Sequence, residues 1–372
     1  MGDEAREEDA LLDAISAVLP PVMTGLEALG HVGRHLHPPN LPQLADAVAS
    51  MAAPVADGLA RFREADFPEH LQDFSRHVIE AAELVGEAFD GLQEAAASPD
   101  GTMRGYRAMG KATRATEALY PLASMLPPVS RFFVEPEQRE DRALLERLMQ
   151  GPGAEGQRRP EQVVGVVRAG NEPGERGGFS LYVPEYYDDS RSWPVMVAMH
   201  GGSGNGHSFL WTWLRTARSR GVILLSPTAR GDTWSLMGPD VDSANIDAML
   251  AYVGERWNID RSRLLLTGMS DGGTFSYVSG LRGESPFTHL APCSASFHPF
   301  LLEAVPAERL KDLPIYLIHG ALDWMFPIDI ARTASAALTA AGANVTYREL
   351  DDLSHTWPRD ENPRILDWFL AA

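Results

Sequence analysis

Ser270 stands in Gly268-Met269-Ser270-Asp271-Gly272, directly after the apolar run at 264–266. A serine between glycines, where a buried strand turns sharply into a helix, is thrust outward with its hydroxyl exposed above the sheet. That hydroxyl is a poor nucleophile until a base takes its proton and a carboxylate orients the base. Both residue types follow in chain order. Asp323 comes in His319-Gly320-Ala321-Leu322-Asp323 after the run at 315–318, and His355 comes in Leu353-Ser354-His355 after the run at 345–350. Acyl transfer also needs donors for the oxyanion. The run at 195–199 enters His200-Gly201-Gly202-Ser203-Gly204, whose glycines permit exposed amides. The N–H of Gly202, with Gly201 or Ser203 beside it, can pair with that of Asp271 at the start of the helix.

Each assignment has rivals. Asp351 and Asp352 are near His355 in sequence, but adjacency in a loop does not aim a carboxylate at a ring, and they read as solvent-facing acids. His207, His298 and His319 are alternative bases. His319 belongs to the turn before Asp323 and reads as its support, while His298 follows a shorter strand-like segment with no carboxylate at the usual next position. The glycine-rich loop could instead cradle a phosphate, yet it lacks a G-K-[ST] ending and the acidic residue of a dinucleotide fingerprint. Trp211, Trp213, Trp234, Trp324 and Met325, with Met269 beside the serine, fall on or near loops expected around the site. They line an acyl or aromatic pocket or pack beneath those loops; Trp324, next to Asp323, is the best pocket candidate.

The elements that must position these residues fall into two halves. To about residue 150 the chain is rich in Ala and Leu and amphipathic at helical spacing. Leu71, Phe74, Val78, Ala81, Val85, Phe89 and Leu92 set one apolar stripe along a long helix that stops at Ser98-Pro99-Asp100-Gly101. An earlier stripe of Leu11, Leu12, Ile15, Val18 and Leu19 is expected to end at Pro20-Pro21. This half, 1–150, is expected to be an all-α bundle, and 151–161 a Gly/Pro-rich linker. From 162 to 372 short Val/Ile/Leu-rich runs at 163–167, 179–183, 195–199, 222–225, 264–266, 315–318 and 345–350 alternate with helical segments at 243–256, 273–281, 328–341 and 363–370. The alternation predicts an α/β fold, a mostly parallel sheet flanked by helices with its chemistry at the carboxyl ends of the strands.

Composition narrows the partners. A formal charge of −19 argues against nucleic acid or an anionic membrane as the main partner. With one cysteine, Cys293, an intramolecular disulfide and a cysteine-rich metal site are excluded. His31, His35 and His37 show no recognisable ligand spacing and read as surface histidines. The start Met1-Gly2-Asp3-Glu4-Ala5-Arg6-Glu7-Glu8-Asp9 is acidic, not the basic start of an export signal, and no stretch reaches the ~20 apolar residues of a membrane span. A cytoplasmic protein without membrane insertion is the expectation.

From about 163 onward the chain resembles the α/β-hydrolases, in particular predicted esterases of the phospholipase/carboxylesterase-like and polyhydroxybutyrate-depolymerase-like groups. The resemblance rests on His200-Gly201-Gly202, on Asn258-Ile259-Asp260-Arg261-Ser262-Arg263 leading into Gly268-Met269-Ser270-Asp271-Gly272-Gly273, on His319-Gly320 with Asp323, and on Ser354-His355. It implies Ser270, Asp323 and His355 as nucleophile, acid and base in a serine esterase acting on a small-molecule ester, with neither metal nor organic cofactor. A prolyl-oligopeptidase-like peptidase shares the fold and residue order, but such enzymes usually carry a β-rich companion domain. The helical half has no counterpart in the compact members. It stays open as a cap over the site, a surface for homo-oligomers, or a docking module on a retained hydrolase scaffold.

Overall fold

The structure, a computed structural model, describes residues 2–150, 159, 161–172 and 174–371. The chain forms two compact units that divide between Phe133 and Val134. The expected linker at 151–161 lies outside the described residues except for Arg159 and Glu161.

The first unit is helical: α1 (Gly2–Arg34), α2 (Leu41–Val48), α3 (Ala52–Glu64), α4 (Gln72–Ala96), α5 (Gly101–Leu119) and α6 (Pro127–Phe132). The stripe of α4 is buried as its spacing demands, with Phe74, Val78, Ala81, Val85, Phe89 and Leu92 in the core. The expected break at Pro20-Pro21 is corrected, because α1 runs through both prolines. Each proline lacks an N–H and frees the carbonyl four residues before it. Here α3 closes on one of those carbonyls: a Cβ added to Gly58 would lie 2.4 Å from Ala17 O. Only a glycine lets the α3 backbone come that near, and the Cα–H that stands where a Cβ would be points at the oxygen to which Pro21 has no amide to donate.

The unbroken helix also corrects the expectation that no stretch is long and apolar enough to cross a membrane. The 26 residues Asp9–Arg34, with a window of mean hydropathy 1.3, meet that measure by length and composition. Val18, Val22, Leu29 and Val32 of this helix are fully buried in the core.

The second unit begins earlier than residue 162. Its first helix, α7 (Arg142–Gln150), joins it through Leu144 and Leu148, which pack into the same apolar cluster as the sheet. Among the described residues eight strands form one sheet: β1 (Gly165–Ala169), β2 (Phe179–Val183), β3 (Trp193–Met199), β4 (Ile223–Pro227), β5 (Ile259–Met269), β6 (His289–Cys293), β7 (Pro314–Gly320) and β8 (Asn344–Leu350). Their order is β1-β2-β4-β3-β5-β6-β7-β8, with β2 antiparallel to both neighbours and every later pairing parallel. β3 is buried along its whole length, as a strand covered on both faces must be, which is why it reads as a continuous apolar run.

Helices α8 (Gly206–Arg220), α9 (Asp242–Arg256), α10 (Asp271–Gly280), α11 (Ala307–Leu310), α12 (Ile328–Ala340) and α13 (Asn362–Leu370) complete the unit. α8 was not expected from the alternation. It starts where the Asn205 side chain accepts the Ser208 N–H and ends at Gly221, whose φ of 69° stops the helix. From β3 the chain first adds β4 on one side and then returns to add β5 on the other. The strand order therefore reverses between β3 and β5, and the crevice at their carboxyl ends is where such a sheet places a ligand.

Candidate active site

A single residue, Ser270, makes the turn between β5 and α10. Its backbone sits at φ 56°, ψ −118°, a conformation that costs a non-glycine residue about 1–3 kcal/mol. Tertiary bonds hold it there. The Ser270 N–H donates to Cys293 O at the end of β6 (3.0 Å), and the Thr274 N–H and Oγ1–H donate to Ser270 O (2.8 and 3.0 Å). The elbow also lies directly on the end of β3: a Cβ on Gly272 would come within 2.5 Å of the carbonyl oxygens of Met199 and His200. Glycine is required at that position for the helix to approach the strand.

The loops after β7 and β8 are laced together by Ala321 N–H to Leu350 O (2.9 Å) and Leu322 N–H to Leu353 O (3.0 Å). This lacing brings Asp323 and His355 side by side. His355 Nδ1 lies 3.0 and 2.9 Å from the two Asp323 carboxylate oxygens, and Nε2 lies 3.0 Å from Ser270 Oγ. A carboxylate only accepts, so the neutral ring carries its proton on Nδ1 and presents the Nε2 lone pair to the serine hydroxyl. The Asp323 side chain is fully buried, and its Oδ1 also accepts the N–H groups of Met325 and Phe326 at 2.9 Å each. Burial pushes its carboxyl up. The hydrogen bonds from His355 and the Phe326 N–H, together with attraction to either ring in its protonated form, outweigh that and hold it below the usual carboxylate range.

The rival residues are placed elsewhere. Asp351 and Asp352 are exposed. The His298 ring accepts the Phe300 N–H, and His207 contacts Arg168 and Ser180. His319 sits behind Asp323, its Nε2 2.8 Å from Phe326 O and 3.4 Å from Asp323 Oδ2, and burial lowers its pKa.

On the other flank of Ser270 lies the loop after β3. A Cβ on Gly201 would be 3.5 Å from Ser270 Cβ, and one on Gly202 would be 2.7 Å from Asp271 Oδ2. The Asp271 N–H opens α10 and has no partner within the helix. Ser203 is removed from the candidate donors, because its N–H bonds Asp232 O at 3.1 Å. The Asp271 carboxylate accepts the Thr233 hydroxyl (2.5 Å).

The model of the Phospholipase/Carboxylesterase family matches residues 243–369, a stretch that holds Ser270, Asp323 and His355. The second unit has the α/β-hydrolase fold. A probable feruloyl esterase C from Aspergillus terreus is 30% identical over 159 residues, covering 41% of this chain and 56% of that protein. A bifunctional acetylxylan esterase/xylanase from Neocallimastix patriciarum is 29% identical over 136 residues, covering 35% and 19%. The chain thus spans 19% and 56% of the lengths of these two curated relatives. Among solved structures, a thermostable esterase is similar with a TM-score of 0.46 at 20% identity, covering 55% of this chain and 62% of that one. The family match supports hydrolase, esterase-like chemistry in general.

The expected pocket residues of the hydrolase unit separate into two groups. Trp324 and Met325 are each 48% exposed, and the Trp324 ring stands edge-on to His355 with centroids 6.5 Å apart. Met269 is half-buried at the end of β5. Trp234 is corrected as a pocket residue: it is 3% exposed, stacks on Phe275, and donates its indole N–H to His200 O (2.7 Å). Trp211 and Trp213 lie buried on α8 rather than on loops. Phe326, 5.4 Å from the His355 ring centroid, was missed in the sequence. Its place three residues after Asp323, in the same turn, was the available signal.

Proposed function

We propose that the protein is a serine hydrolase that cleaves carboxylic esters through an acyl-enzyme on Ser270. The carrying observation is the hydrogen-bonded series from Ser270 Oγ through His355 to Asp323. Ser270 Oγ attacks the acyl carbon as His355 Nε2 takes its proton. Asp323 holds the imidazole in the Nδ1–H tautomer and stabilises the imidazolium. The N–H groups of Gly202 and Asp271 bind the oxyanion, worth about 10²- to 10³-fold in kcat for one donor. His355 then protonates the leaving alkoxide, takes a proton from water, and returns it to Ser270 as the acid leaves.

Trp324 and Met325 form the acyl-side surface in this reading, with Met269 beside the serine. The names of the two curated relatives suggest a feruloyl or acetyl ester as first substrates. Ser270→Ala should abolish turnover of p-nitrophenyl acetate and of methyl ferulate, and abolish labelling by a fluorophosphonate probe. Full hydrolysis by the purified variant would sink the assignment. A peptide anilide turned over faster than either ester would instead favour a peptidase.

A further inference from the structure

Gly201 and Gly202 carry no side chain to restrict their backbone, so something else must fix the plane of the peptide between them. The Gly201 carbonyl oxygen takes two hydrogen bonds, from His200 Nδ1 at 2.6 Å and from the Gly204 N–H at 3.1 Å. A planar trans peptide points its C=O and the following N–H in opposite directions. Holding Gly201 O therefore holds the Gly202 N–H on the other side of the same plane.

The His200 ring is itself fixed. Its Nε2 accepts the Ala229 N–H at 3.1 Å, which leaves the ring proton on Nδ1, where it donates to Gly201 O. Trp234 donates its indole N–H to the His200 carbonyl and packs on the imidazole with centroids 4.8 Å apart. The charged groups acting on the ring are Arg176, which disfavours protonation, and Asp242 and Asp271, which favour it. Burial outweighs them and pushes the pKa down to about 4, so the ring is neutral at neutral pH and keeps the lone pair that Ala229 needs.

We infer that His200 is a positioning residue for the reaction: through the Gly201 carbonyl it aims the Gly202 N–H at the oxyanion. This rests on the reading of Ser270 as nucleophile and Gly202 as donor given above. His200 touches no reacting atom, and its effect belongs to the transition state rather than to substrate binding.

Two substitutions separate aiming from anchoring. His200→Asn keeps an N–H where Nδ1 stands and gives up the acceptor for Ala229. His200→Gln does the reverse, offering an acceptor near the Nε2 position and no donor to Gly201. His200→Gln should lower kcat on p-nitrophenyl acetate about 100-fold with KM within about threefold, while His200→Asn stays within about tenfold of the parent. Equal losses in the two variants, or a more active Gln variant, would show that the ring only anchors Ala229 and overturn the inference. An independent measurement needs no variant. 15N NMR of histidine-labelled protein should show His200 protonated on Nδ1 at neutral pH, and an Nε2–H tautomer overturns the inference whatever the variants do. Ser270→Ala assayed alongside keeps the two levels apart, since an active Ser270→Ala protein means the nucleophile was misassigned, not His200.

Discussion

The loops after β3 and β7 both frame Ser270, and they differ in what they leave to solvent. The loop after β3 is locked by buried polar groups: His200 on Gly201 O, Ala229 on His200, and Trp234 over the ring. The loop after β7 uses the same device for its backbone, with the Met325 and Phe326 amides on Asp323, yet leaves the Trp324 and Met325 side chains half exposed. The difference separates two tasks. A fixed backbone positions charge and proton transfer, while solvent-facing side chains on a fixed backbone are free to vary with substrate.

The strongest way to break this comparison is Asp323→Asn. The amide cannot accept from His355 through both atoms, and the imidazole tautomer that presents Nε2 to Ser270 is no longer enforced. kcat should fall about 10⁴-fold while KM moves little, because the rim side chains remain. A loss under tenfold in steady-state assays would make Asp323 a loop clamp only, and the two loops would then differ in nothing catalytic.

The same carboxylate should leave a smaller mark on stability. Its folded-state pKa is depressed, so its contribution is present above the unfolded value of about 3.9 and is lost as pH falls through the lower folded value. Compared with Asp323→Asn, the parent should therefore be more stable at pH 7, with the gap closing toward pH 3. All eight tryptophans lie after Val134, so tryptophan fluorescence in urea follows the hydrolase unit alone. A gap that widens with acid would contradict the hydrogen-bonding assigned to Asp323.

The candidate residues Ser270 and Asp323 were legible because they follow β5 and β7, whose buried stretches write continuous apolar runs, whereas β8 before His355 is only half-buried and that residue was picked out by its polar loop and chain order. Their spatial meeting follows from strand order, which the chain order of Ser, Asp and His anticipates. What escaped depends on contacts distant in sequence. Pro20-Pro21 reads as a stop until Gly58 of another helix is placed on the carbonyl that Pro21 frees. The amphipathic pattern of α7 shows that Leu144 and Leu148 need a core but not which one, so the unit boundary at Phe133 was hidden. Trp234 looked like a pocket wall because an aromatic residue in a polar loop is ambiguous until its N–H is seen on His200 O. β6 is absent from the main apolar runs and registers only as the shorter strand-like segment before His298, because His289-Leu290-Ala291-Pro292-Cys293 has no β-branched residue and carries a proline.

Trp324 gives the smallest expected effect and the sharpest view of the rim. Its ring stands edge-on to His355 and half in solvent, so it can meet a substrate group without moving the hydrogen-bonded series beside it. An aromatic acyl group packed on such a ring gains about 0.5–1.5 kcal/mol beyond its buried area, whereas an acetyl group is too small to reach that interaction. Trp324→Ala should therefore lower the ratio of kcat/KM for methyl ferulate over p-nitrophenyl acetate by about three- to tenfold. Equal loss on both esters would mean that Trp324 supports His355 rather than selecting the acyl group, and the rim would then belong with the locked loop after β3.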